Sequence, residues 1–194
     1  LVEAVWGDEA LQLARFRHAP RDSFDQFSAW LPDALAAHAR DGHAVLSIYA
    51  NDPDLLKDQP VELLGAVQKS VSRLMRPFRE HVSRNGTNWS VIAAASAGWA
   101  ARVFPDVPPA DRIERLWEAI IRLIRLDQPD PVAAWDAHLA ALAARRDFLN
   151  GRRYSALRYR GPGTELTLGL APGHQWVSGR STSATHIVFA PNLR

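Results

Sequence analysis

The sequence predicts an α/β chain: a partial parallel sheet with covering helices, followed by a small antiparallel strand meander. Three observations predict it. Short apolar runs at 2–6, 44–49 and 89–94 alternate with long stretches of helical period. The second and third runs show little polar alternation, as strands covered on both faces do. Past Gly151, Gly and Pro turns come so close together that only short strands fit between them. Strands separated by helical crossovers join in parallel, with right-handed connections.

In chain order, the run 2–6 reads as a first strand. Asp8 then caps a helix: its short carboxylate accepts N–H groups that the first turn leaves unpaired, and Glu9 favours the positive end. Pro20 closes that helix. A second is expected over 23–40, stopped by Asp41-Gly42. The strand 44–49 leads into the turn cluster Asn51-Asp52-Pro53-Asp54. From Pro60, Leu64, Val67, Val71, Leu74, Met75, Phe78 and Val82 keep helical spacing, with Pro77 expected to bend the rod and Asn85-Gly86 to end it. The strand 89–94 follows.

Further on, Ile113, Leu116, Trp117, Ile120 and Ile124 form a wide apolar stripe, with Arg112, Arg115, Glu118 and Arg122 facing away. A Glu118–Arg122 pair would contribute only about 0.2–0.5 kcal/mol, so the stripe holds the helix in place. Asp130 as cap and Pro131 at the first helical position restart a helix that turns Val132, Trp135, Leu139, Leu142 and Leu149 inward, up to Asn150-Gly151. Strands are then expected over 154–160, 164–170, 175–177 and 186–190, separated by Gly161-Pro162-Gly163 and Pro172-Gly173. The chain divides accordingly into an α/β N-terminal domain over 1–152, incomplete at its start, and a strand-rich segment over 153–194.

Composition narrows the function. Apolar residues at 47% and charged residues at 23% are ordinary for a folded protein. No apolar run approaches the roughly 18 residues that a membrane span needs, and no basic start with a cleavage site is present. The expectation is a cytoplasmic protein without a membrane partner. The absence of cysteine excludes disulfides, thiol nucleophiles and thiolate metal sites. A net charge of +2 is too small to imply an electrostatic partner.

The residues alone assemble no active site. Gly161-Pro162-Gly163 lacks the third glycine and the following helix that a dinucleotide pyrophosphate requires, and reads as a hairpin turn. His18, His38, His43, His81, His138, His174 and His186 form no HxxxH pair; His174 and His186 are the two nearest to an exception. Asp22/Asp25 and Asp52/Asp54 sit where capping explains them, and Glu114 and Glu118 lie on a solvated helix face. Arg145, Arg146, Arg152, Arg153, Arg158 and Arg160, interleaved with Tyr154 and Tyr159, have the composition of a stacking, phosphate-binding surface. Asp147 and Glu165 stand close enough to offset part of that charge. A nucleic-acid or acidic-partner binding module on this surface is the alternative reading; the main reading has no nucleic acid.

Several stretches, in order along most of the chain, resemble the thermophilic metalloaminopeptidases, the group of aminopeptidases T and S. They are Arg76-Pro77-Phe78-Arg79-Glu80, Gly98-Trp99-Ala100 with Val103-Phe104-Pro105-Asp106, Leu116-Trp117-Glu118-Ala119-Ile120, the run from Arg125 to Trp135, the run from Arg158 to Leu170, and Phe189-Ala190-Pro191-Asn192. The resemblance implies hydrolysis of N-terminal residues from peptides at a centre of two divalent ions (zinc, cobalt or magnesium), in two-domain chains that form homodimers. It also implies acidic and histidine ligands in the C-terminal half. In that family the Pro-Asn stretch runs on into Pro-Thr-Glu-Glu, whereas here Asn192 is followed by Leu193-Arg194. A family segment that would supply a further strand is likewise expected ahead of Leu1. No catalytic, cofactor-binding or metal-ligating residue therefore carries over, and the expectation is a fragment that is inactive by itself.

Overall fold

The computed structural model describes residues 2–192; Leu1 and residues 193–194, where the sequence reading placed the interruption of the family pattern, lie outside them. Residues 2–6 form no strand. Val2 and Trp6 are 92% and 82% exposed, so an apolar run here signals neither a strand nor a buried one. Asp8 does cap α1 (Glu9–His18), accepting from Leu11 N at 3.0 Å. A short 3₁₀ turn at Arg21–Ser23 follows. The expected helix from residue 23 starts late, at α2 (Trp30–Arg40), because Phe24 dives into the core instead. Phe24 meets Phe16 edge-on at 5.0 Å, and Arg15 lies over its ring while donating to Ser23 O and Gln26 O. Leu63 completes this cluster from α3 (Val61–Leu74).

β1 (Val45–Tyr49) pairs in parallel with β2 (Trp89–Ala93), from Val45 opposite Trp89 to Tyr49 opposite Ala93. The crossover is α3 and α4 (Arg76–Ser83), broken at Met75, with Pro77 in the first turn of α4 where its missing N–H costs nothing. Asn85 takes φ 55° and ends α4 as expected. β1 is not covered on both faces: Leu46 and Ile48 are 60% and 57% exposed, while Val45 and Ser47 are half-buried. On its other edge β2 meets the far end of the chain. Val91 N donates to Pro191 O at 3.0 Å, Ser90 Oγ donates to Ala190 O, and Val91 bridges Asn192 in parallel. The third place in the sheet is thus taken by residues 190–192 and not by residues 2–6.

Ser96 caps α5 (Ala97–Val103), whose Ala100 packs with Leu116 and Ile120 of α6 (Arg112–Leu123) in the second core cluster. Asp130 caps α7 (Pro131–Arg152) by accepting from Ala133 N at 2.9 Å. Val132 of that helix is 73% exposed and not inward. The helix passes Asn150-Gly151 and ends only where Arg153 turns left-handed, at φ 49°. β3 (Ala156–Gly161) and β4 (Thr164–Gly169) then form a hairpin whose turn places Gly163 at φ 71°. The expected single meander is instead two separate pairs. Residues 175–177 are not a strand, and the polar β5 (Ser181–Thr182) pairs with β6 (Val188–Phe189). Asn150 holds the intervening loop by two hydrogen bonds to the Trp176 backbone.

Candidate functional site

In open α/β sheets, ligands sit beyond the carboxyl ends of the strands. Here that space is filled by the chain's own groups. Asp52, after β1, accepts from Asp54 N at 2.8 Å, and its own N–H donates to Glu9 Oε1 at 2.9 Å. Gly98, in the first turn of α5, comes so close that a Cβ there would stand 2.1 Å from the Asp52 carboxyl carbon. Asp54 lies 3.9 Å from Arg102. The Asp52 carboxylate holds its turn as the capping interpretation expects, whereas that of Asp54 faces Arg102 and caps no backbone N–H of the described residues.

A more open place lies at the α6–α7 connection. Leu126 N donates to Ile121 O and Arg125 N to Arg122 O, the paired bonds of a Schellman end. That motif needs a left-handed residue, and Arg125 supplies it at φ 59°. A side chain there costs on the order of 1–2 kcal/mol relative to glycine. The guanidinium is held on three sides. One nitrogen donates to Leu123 O at 3.1 Å, another lies 3.1 Å from His138 Nδ1, and the group stacks 5.3 Å from the centre of the Trp135 ring. Trp135 Nε1 in turn donates to Ile124 O at 2.7 Å.

Arginine can only donate, so His138 Nδ1 is the acceptor and the imidazole is neutral with its proton on Nε2. Burial, then the charges of Arg125 and Arg145, lower the His138 pKa below the usual imidazole value. Arg125, Trp135 and His138 line a cavity of about 310 Å³ that Leu139, Leu142 and Gly179 also face, with Pro191 and Asn192 along one side. Sequence reasoning missed this cluster. The available signal was an arginine at a helix-ending position where glycine is usual, just before the Asp-Gln-Pro-Asp-Pro restart.

The other candidates stay apart. His38 pairs with Glu3 at 2.9 Å and lies beside the His43 ring. His174 Nδ1 bonds Ala171 O and its ring meets Trp176 edge-on, while His186 is an exposed residue at φ 63°. Among the described residues no three His, Asp or Glu side chains converge as metal ligands would. Within the basic run, Arg146 pairs with Asp147 at 2.8 Å, Arg160 with Glu165 at 3.1 Å, and Arg152 covers the Phe148 ring. Arg146 holds the Asp147 carboxyl below its ordinary pKa. The expected Glu118–Arg122 pair is replaced by Arg115–Glu118 at 3.0 Å, one turn in the other direction. No helix among the described residues is long and apolar enough to cross a membrane.

Comparison with known proteins places the whole architecture. The family model described as thermophilic metalloprotease (M29) matches residues 1–193. Aminopeptidase T of Thermus thermophilus is 40% identical over 193 residues, covering 100% of this chain and 47% of its own length. Aminopeptidase 2 of Geobacillus stearothermophilus is 38% identical over 188 residues, with 97% and 46% covered. Aminopeptidase AmpS of Bacillus subtilis is 32% identical over 192 residues, with 99% and 47% covered. The solved structure of wild-type AmpT from Thermus thermophilus superposes with a TM-score of 0.89 at 38% identity, over 97% of this chain and 46% of that one. The chain thus spans about half the length of the relatives it matches. With a match that runs through nearly every residue and a shared α/β fold, this chain belongs to the thermophilic metalloprotease (M29) family.

Proposed function

We propose that this chain is the N-terminal part of an aminopeptidase that removes N-terminal residues from peptides with two divalent metal ions, and that the ligands for those ions lie in polypeptide beyond it. The observation that carries the reading is the match itself: it runs the full length of this chain but covers only 47% of the length of aminopeptidase T. Zinc, cobalt or magnesium needs several nitrogen or oxygen donors converging at about 2.0–2.2 Å, and the described histidines and carboxylates form no such group. The described residues do not fit the ions, so no step through a metal is derived for them.

In this reading residues 1–152 act as an α/β platform, and the strand-rich residues 153–194 lead toward the catalytic half. The platform positions that half, helps enclose the peptide and contributes to a homodimer in the cytoplasm. The basic surface finds no such support, because three of its arginines are engaged by neighbours on their own element or hairpin. The test is hydrolysis of leucine p-nitroanilide by the purified chain with zinc, cobalt or magnesium added. The expected result is no turnover above buffer; turnover that a chelator abolishes would contradict the proposal.

A further inference from the structure

A left-handed arginine is not unusual in this chain: Arg153 also turns left-handed at the end of α7, but it is exposed to solvent. Arg125 differs in being half-buried and held by a carbonyl, an imidazole and an indole face. Among the described residues no carboxylate lies within ion-pair distance of it. Its side-chain partner, His138, is a neutral acceptor and leaves the positive charge uncompensated. A partly desolvated cation in that state favours an anion beside it. Of the five N–H donors of a guanidinium, the carbonyl of Leu123 and the ring of His138 engage two. The planar fork keeps donors for a carboxylate.

We propose that the cavity at the α6–α7 connection binds a small organic carboxylate, with Arg125 as its charge partner and His138 and Trp135 as the residues that position the guanidinium. Arg125 is the one charged side chain among the described lining residues, with Arg145 acting on His138 from outside the lining, so a single negative charge is balanced there, which favours a carboxylate over a phosphate dianion. Leu139 and Leu142 offer apolar wall to the organic part of the ligand. The volume of about 310 Å³, on a side open to solvent, has room for a group the size of a single acylated amino acid. The inference rests on this chain's own side chains, so its failure would leave the peptidase reading untouched.

The test is an NMR titration of the 194-residue chain with N-acetyl-leucine, following the His138 ring nitrogens and the Trp135 indole N–H. N-acetyl-leucine amide and inorganic phosphate serve as comparison ligands. N-acetyl-leucine is expected to shift both signals and to bind about tenfold or more tighter than the amide or phosphate. Arg125→Gly keeps a residue suited to φ 59°, so the fold is expected to persist while affinity for the acid falls to that of the amide. Equal binding of acid and amide, equal binding of phosphate, or an unchanged affinity in Arg125→Gly would each overturn the proposal.

Discussion

The parallel pair β1–β2 and the hairpin β3–β4 hold the same number of strands in opposite surroundings. β2 has a neighbour on each edge, β1 on one side and residues 190–192 on the other. Its Trp89 ring lies 6.1 Å from Phe189, and its Ala93 packs on the Ala100–Leu116–Ile120 cluster. The hairpin has almost no buried surface. Leu157, Tyr159, Leu166 and Leu168 share one face by register, and the last three are each about half exposed; Arg158, Arg160, Glu165 and Thr167 share the other. Two-stranded hairpins of this kind are marginal in water unless something packs on them. One region is therefore held by contacts between distant parts of the chain, and the other by its turn and ladder alone.

The largest expected effect breaks the first region. Leu116→Ala removes a side chain that is 3% exposed at the centre of the α5–α6 cluster, and should destabilise the fold by about 2–5 kcal/mol. Leu166→Ala, at 50% exposure in the hairpin, should cost under about 1 kcal/mol. Urea unfolding midpoints of the two variants measure the contrast. Next in size is Gly163→Ala, which forces a side chain into φ 71°. A cost of about 1–2 kcal/mol is expected, confined to the hairpin, and read as faster amide exchange over 156–169 with β1–β2 unchanged.

The smallest effect is a pH dependence. The folded chain holds the His138 pKa below that of the unfolded chain, chiefly by burial and then by Arg125 and Arg145. Between the two values the unfolded chain binds the extra proton, so stability is full above the ordinary imidazole pKa and falls as pH drops through that window. Exchange protection should loosen first over residues 123–138 and not in the hairpin. His138→Gln should flatten the profile of stability against pH.

The same contrast explains what could be read in advance. Asp8, Asn85, Asp130 with Pro131, and Gly163 act within a few residues of themselves, and each does in the structure what its chemistry predicts. The third place in the sheet depends on residues 190–192 reaching back to Val91, about a hundred positions away, and nothing local announces it. The run 2–6 has strand composition without a strand's neighbours. β5 is the polar dipeptide Ser181-Thr182, which becomes a strand only because Val188 and Phe189 face it. The Arg125–His138 contact also joins separate elements, and a lone histidine on a helix carries no sign of its partner. The family, by contrast, was legible because its motifs are spread in order along the whole chain.

The claim that the described side chains hold no centre for divalent ions is tested most directly by calorimetric titration of zinc into the purified chain. No stoichiometric site is predicted, with heats no larger than dilution. One or two tightly bound equivalents, lost on replacing histidines or carboxylates within residues 2–192, would contradict it.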